Sequence, residues 1–186
     1  GQAPVALRIA PVLADRDADL RAARLENLVA GVAVLEVVGL VHLREAVSLM
    51  QDYDHHSAIF APAITSSKIL GRSGQKFRVA LRFYVKKVIG VTMETENEAE
   101  FFNGGADRAY SRIRSTRITE IADAGTPQEH PKPAGEENGF MWRLNTYWRF
   151  LERDGGTYIQ CESLTLSRDV PFALAWIIRP FVTDEP

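Results

Sequence analysis

The residues with chemical potential fall into a few groups, the most unusual of them rich in arginine. The run AYSRIRSTRITEIA, residues 109–122, carries Arg112, Arg114 and Arg117. In an extended chain, alternation puts Arg112 and Arg114 on one face and Arg117 on the other unless a bulge intervenes. Arg143 and Arg149 follow in GFMWRLNTYWRF, residues 139–150. A guanidinium presents a planar fork to carboxylate or phosphate, so Arg112, Arg114, Arg143 and Arg149, with Glu162, are candidates for an anionic head-group site at a cavity mouth. The same arginines set against Glu162 and Glu120 also read as a cross-strand charge ladder on an outer face. Asp52, Asp54, His55 and His56 resemble metal ligands at first sight, but polar residues crowded at a helix end set no ligand geometry of the His-Glu-x-x-His kind, and no metal is assigned. Cys161 falls mid-strand with no histidine close in sequence and reads as a packed thiol. His130 sits in a proline-rich stretch and reads as solvated. Glu94, Glu96, Glu98 and Glu100 lack the spacing of a calcium loop and read as a wet edge. With no glycine-rich phosphate loop and no G-x-S-x-G elbow, no catalytic residue and no cofactor is assigned.

Positioning falls to a long antiparallel hairpin over residues 139–171, with Asp154-Gly155 as its turn. Asp-Gly suits a type I′ turn, which needs positive φ at both central residues. That register pairs Arg153 with Gly156, Phe150 with Ile159, Trp148 with Cys161, Thr146 with Ser163 and Leu144 with Thr165. One face then carries Trp142, Leu144, Trp148, Phe150, Ile159 and Cys161. The other carries Arg143, Asn145, Tyr147, Arg149, Gln160 and Glu162, with Leu164 and Leu166 further along. A one-residue bulge after the turn would shift this pairing. Leu81, Phe83, Trp142, Leu144, Trp148, Phe150 and a later residue, Trp176, are the candidates to line an apolar ligand pocket. Ordinary core packing accounts for the same residues.

The chain has 186 residues, 46% hydrophobic and 25% charged, which fits a single globular domain. A net charge of −2 argues against a protein built to neutralise many phosphates, and no nucleic-acid motif is present. One cysteine excludes an internal disulfide and carries no clue to compartment. No stretch reaches the ~18 apolar residues of a membrane-spanning helix. The sequence does not specify location: cytoplasmic, or exported if a signal peptide was removed before Gly1. Residues 1–30 read as an N-terminal arm with a possible helix over 15–30. Residues 31–39 read as a strand between glycines. Residues 41–53 read as a helix with Val41, Leu43, Ala46, Val47, Leu49 and Met50 on its apolar stripe. Strands follow over 64–70, with a turn at 71–74, over 76–85 and 88–95; an acidic link spans 94–100 and a long strand 109–122. The stretch TPQEHPKPAGEEN, 126–138, is the best candidate for a mobile loop. After the hairpin a C-terminal helix starts at Asp169, with Pro171 in its first turn.

This order suits an α+β fold in which a curved antiparallel sheet wraps around a C-terminal helix. The segments AVSLMQDYDHHSAIFAPAITSSKIL, RVALRF and YSRIRSTRI, and above all GFMWRLNTYWRFLERDGG with its SRDVP ending, resemble the START-like, helix-grip superfamily of polyketide cyclase, coenzyme Q binding and lipid-transfer type, and are most similar to bacterial members of it. The resemblance spans roughly residues 31–182, and the domain is taken as 31–186. It implies an apolar cavity between the sheet and the terminal helix, and the binding or carriage of a hydrophobic small molecule such as a lipid, sterol, quinone or polyketide. Two alternatives stand beside it. One is an enzyme of cyclase or hydrolase type using the same cavity, with Tyr147, Glu162 or His55 as acid or base. The other is an interaction domain whose core is closed. The oligomeric state is not specified by the sequence.

Overall fold

The structure, a computed structural model, describes residues 29–39, 41–86 and 90–167. The N-terminal arm up to residue 28, the C-terminal helix expected from Asp169, and Trp176 lie outside the described residues. Strand β1 (Val29–Gly39) leads to helix α1 (Leu43–Gln51), a 3-10 turn (Tyr53–His55) and a short helix α2 (His56–Ile59). Strands β2 (Ile64–Ser73), β3 (Lys76–Lys86), β4 (Gly90–Asn103), β5 (Arg108–Ala122), the two-residue β6 (His130–Pro131), β7 (Arg143–Arg153) and β8 (Gly156–Ser167) follow. All pair antiparallel in one sheet of order β1-β8-β7-β5-β4-β3-β2, with β6 added to β5. β1 and β2 are neighbours along the chain yet lie at opposite ends of the sheet, and the helices make the crossing between them.

Local chemistry explains the elements. Glu45 accepts the backbone N–H of His42 in a capping box that opens α1. Of the expected stripe, Ala46 and Met50 are buried and Leu43 and Val47 pack against the core, but Val41 and Leu49 are exposed. Leu49 lies about 100° around the helix from Met50, and only the 43–46–47–50 spacing holds one face. Strand β2 runs past the expected turn to Ser73, and the reversal is the two residues Gly74 and Gln75, with Gly74 at φ +59°. Two register shifts absorb the extra residues of β2. In β3, Phe77, Val79, Leu81 and Phe83 are buried, as alternation requires.

The expected acidic link is a strand. In β4, Glu94, Glu96, Glu98 and Glu100 alternate with buried Thr95, Asn97 and Ala99. Glu94 faces Arg82 across β3 at 3.6 Å, Glu96 faces Arg117 across β5 at 3.6 Å, and Glu100 reaches Lys76 at 3.2 Å and Arg112 at 3.1 Å. The charge ladder is therefore built chiefly from the acidic run. A bulge at Thr116, between the pairs Glu96 with Arg117 and Asn97 with Ser115, turns Arg117 onto the same face as Arg112 and Arg114. Glu120 belongs to a different arrangement. It is buried, and its carboxylate accepts the backbone N–H groups of Asn138 at 2.9 Å and Phe140 at 3.1 Å and the Lys132 ammonium at 3.3 Å. Glu129 adds a contact to Arg82 at 2.7 Å. The proline-rich stretch, expected to be mobile, is thus strapped to the sheet.

The hairpin register is the expected one, residue for residue, from Leu144 with Thr165 to Arg153 with Gly156. Asp154 at φ +56° and Gly155 at φ +81° form its turn. The core occupies one side of the sheet, where Phe77, Leu81, Phe83, Phe101, Leu144, Trp148, Phe150 and Cys161 meet Ala46, Met50, Tyr53 and Phe60.

Candidate ligand cavity

Between the helices and the sheet lies a cavity of about 80 Å³. The helical side contributes Met50, Tyr53, His56 and Phe60, followed by Ala63 and Ile64; the sheet contributes Leu81, Phe83, Asn97, Ile113, Leu144, Thr146 and Trp148. Volume of this kind on the order of 10–15 Å³ accommodates one water-sized group, so the space takes several. Alternation along β3, β5 and β7 aims these sheet residues to one side. Met50, Tyr53, His56 and Phe60 recur at helical spacing through the break between α1 and α2, which keeps them on one side of the winding chain.

The polar atoms in this lining differ in how they are satisfied. Asn97 donates its amide N–H to Thr95 Oγ1 at 2.8 Å, and Thr146 Oγ1 lies 3.2 Å from Ser163 Oγ. Tyr53 is 0% exposed and His56 3% exposed, and neither Tyr53 Oη nor His56 Nε2 has a hydrogen-bond partner. Their rings are 4.5 Å apart between centroids. Phe60 packs edge-on to His56 at 4.9 Å, while Phe77 at 5.5 Å and Phe101 at 6.5 Å hold Tyr53. Burial pushes the His56 imidazole down to about 4, against the weaker upward pull of hydrogen bonds to the Leu49 and Met50 backbone, so the ring is neutral at pH 7. Burial likewise raises the Tyr53 phenol above its ordinary value.

The sequence-predicted site residues divide. Leu81, Phe83, Leu144 and Trp148 line the cavity. Phe150 is fully buried and stacks on Trp148 at 6.4 Å, behind the lining. Trp142 is 42% exposed and borders a separate recess of about 410 Å³ with Glu120, Glu137 and Met141. Arg112, Arg114, Arg143 and Arg149 alternate with Ile113, Leu144 and Trp148, so they and Glu162 lie on the face of the sheet turned away from the cavity. There Arg149 reaches Glu162 at 3.5 Å and Gln160 at 2.8 Å. From sequence this is an outer face with a charge ladder, yet Asn145, Tyr147, Arg149, Glu162, Leu164 and Leu166 are buried, and Tyr147 packs with Leu164 and Tyr110. Leu164 and Leu166 at the same parity were the available signal.

The candidate acids and bases do not converge on the cavity. Tyr147 and Glu162 are on the far face, and His55 is exposed and bonded to Asp52 at 2.7 Å. Asp54 instead accepts the Ile69 backbone N–H at 2.7 Å, which separates the four polar residues of that segment. Among the described residues no group of three His, Cys, Asp or Glu side chains is placed to hold a metal. Burial pushes the Cys161 thiol up to about 12, with a smaller contribution from Glu162, the opposite of an activated nucleophile. No helix among the described residues is long and apolar enough to cross a membrane. Of the lining residues absent from the sequence-predicted site, Tyr53 and His56 carry the unmet polar atoms: His56 reads from sequence with Asp52, Asp54 and His55, and Tyr53 is not weighed there.

A large antiparallel sheet whose end strands are joined through a helix pair over an apolar cavity defines a class of α+β proteins, and the chain has the START-like fold of that class. Solved structures of similar fold include the STAR-related lipid transfer protein of Xanthomonas axonopodis, at 14% identity and a TM-score of 0.55 over 78% of this chain and 77% of that one. The Zhui aromatase/cyclase of Streptomyces sp. R1128 matches at 12% identity and a TM-score of 0.53, over 76% of this chain and 71% of that one. Human STARD10 matches at 12% identity and a TM-score of 0.52, over 88% and 71% respectively. No protein-family model matches the sequence, and no curated protein matches it.

Proposed function

We propose that this chain binds or carries a hydrophobic small molecule, of lipid, sterol, quinone or polyketide-like character, in the cavity between its sheet and its helices. The observation that carries the proposal is the cavity itself, an apolar hollow in a core that is otherwise packed with aromatic and aliphatic side chains. Apolar walls replace a ligand's contacts with water, and a few placed polar atoms fix its orientation. Two proteins of similar fold are named for lipid transfer and for aromatase/cyclase activity, which supports a hydrophobic ligand. Native mass spectrometry of freshly purified protein, followed by extraction and identification of bound molecules, tests the proposal. A stoichiometric apolar ligand, lost in a Phe83→Arg variant that places a charge in the wall, is the expected result. Protein that carries nothing and shows no thermal shift with a panel of lipids, sterols and quinones would overturn it.

A further inference from the structure

Resting on that binding function, we infer that the ligand presents a neutral hydroxyl, alcohol or phenol, to Tyr53 and His56, rather than a carboxylate or phosphate. Among the described lining residues these two side chains hold the buried polar atoms that no protein group satisfies, Tyr53 Oη and His56 Nε2. An unmet buried donor or acceptor is costly, and both residues belong to the cavity lining.

The protonation pattern selects the partner. Burial keeps the His56 ring neutral at pH 7, so Nε2 offers a lone pair in one tautomer and an N–H in the other. Tyr53 presents an O–H. Tyr53 Oη can donate or accept, and a hydroxyl, which also does both, matches the pair in either tautomer of His56. A hydrocarbon satisfies neither.

Charge excludes the acids. Among the described lining residues there is no lysine or arginine, and Arg112, Arg114, Arg143 and Arg149 lie on the opposite face of the sheet. A carboxylate entering here gives up its water for a phenol and a neutral imidazole, with no cation among the described lining residues to offset its charge. The rings around Tyr53 and His56 hold both in place before any ligand arrives, so little ordering is needed on binding.

Isothermal titration with 2-naphthol, naphthalene and 2-naphthoate tests this, because the three share a skeleton and differ at one group. The wild-type protein is expected to bind 2-naphthol about tenfold more tightly than naphthalene, the effect of a typical buried hydrogen bond, and 2-naphthoate more weakly than either. Tyr53→Phe, which removes one oxygen and keeps the ring, is expected to bring 2-naphthol down towards the naphthalene level, and His56→Phe to do the same. Equal binding of 2-naphthol and naphthalene, or tightest binding of 2-naphthoate, overturns the inference and leaves the cavity as a binding site. A preference for 2-naphthol that survives in both variants overturns its assignment to this pair. Failure of all three probes to bind overturns the inference, and the binding function is then decided separately by the panel of lipids, sterols and quinones.

Discussion

Replacing Tyr53 by phenylalanine should make the ligand-free protein more stable, which is unusual for the loss of a buried polar group. The ring is 0% exposed and packs on Phe77, Phe101 and His56, contacts that phenylalanine keeps. What is lost is a hydroxyl with no hydrogen-bond partner. Leaving such a group buried and unmet costs about 1–3 kcal/mol. The one-atom void left behind returns a few tenths of that, about 0.3 kcal/mol. The net expectation is a gain of about 1 kcal/mol, which for a chain of this size raises the melting temperature by about 2–4 °C. Urea unfolding followed by circular dichroism measures it directly, as a higher midpoint at unchanged slope. A loss of about 1 kcal/mol instead would mean that Oη is satisfied in the free protein, and the argument for its role in the cavity would fail with it. The same substitution weakens binding of a hydroxylated ligand, so stability and affinity should move in opposite directions, as at sites where function is held against stability.

Three further outcomes are expected. His56 titrates near 4 in the folded protein and near 6.5 when unfolded, so the unfolded chain takes up its proton first as the pH falls. Stability is therefore lost between about pH 6.5 and 4, by about 3 kcal/mol from this group, and a His56→Phe variant should show a flatter denaturation profile over that range; an unchanged profile would place the acid sensitivity elsewhere. Exposed His42 and His55, held above their usual value by Glu152 and Asp52, act with the opposite sign, losing their contribution as pH rises. Glu120→Ala removes the buried carboxylate that receives Asn138, Phe140 and Lys132, and should cost about 3 kcal/mol and speed amide exchange across residues 132–140; protection equal to wild type there would contradict the strap. Gly155→Ala meets no atom within 4 Å but forces a side chain to φ +81°, so a loss of about 1–2 kcal/mol from backbone strain alone is expected, seen as a lower urea midpoint.

Much of the sheet was legible because period-2 patterns and turn chemistry are local. Asp154-Gly155 settled the hairpin register, and the alternation of Phe77, Val79, Leu81 and Phe83 settled which side of β3 is buried. The acidic run was misread because four glutamates in seven residues resemble a solvated link. Only the cations of β3 and β5 on either side make them a strand face, and strand neighbours are distant in sequence. The burial of the Arg149 and Glu162 face was not legible for a related reason: parity says which residues share a face, not what covers it. The cavity polar pair was legible in part. Met50, Tyr53, His56 and Phe60 keep helical spacing, but the crowd of Asp52, Asp54 and His55 around them drew attention to the exposed side of the turn. That Tyr53 Oη and His56 Nε2 go unmet depends on the sheet packed above them, which no local pattern encodes.

The pairing of β1 with β8 has a consequence for how the molecule comes together. Residues 29–39 find their sheet partners only at residues 157–167, after every other strand has been made. The strands from β2 to β5 can zip up hairpin by hairpin as the chain leaves the ribosome, each next to its predecessor. β1, the first strand in the described chain, must stay unpaired through all of that. Closing so long a loop makes this the slow step of assembly and leaves a strand edge exposed to strangers in the interval. Mutations that weaken the β1–β8 seam should therefore show their effect in yield and aggregation during synthesis before they show it in the stability of the finished protein.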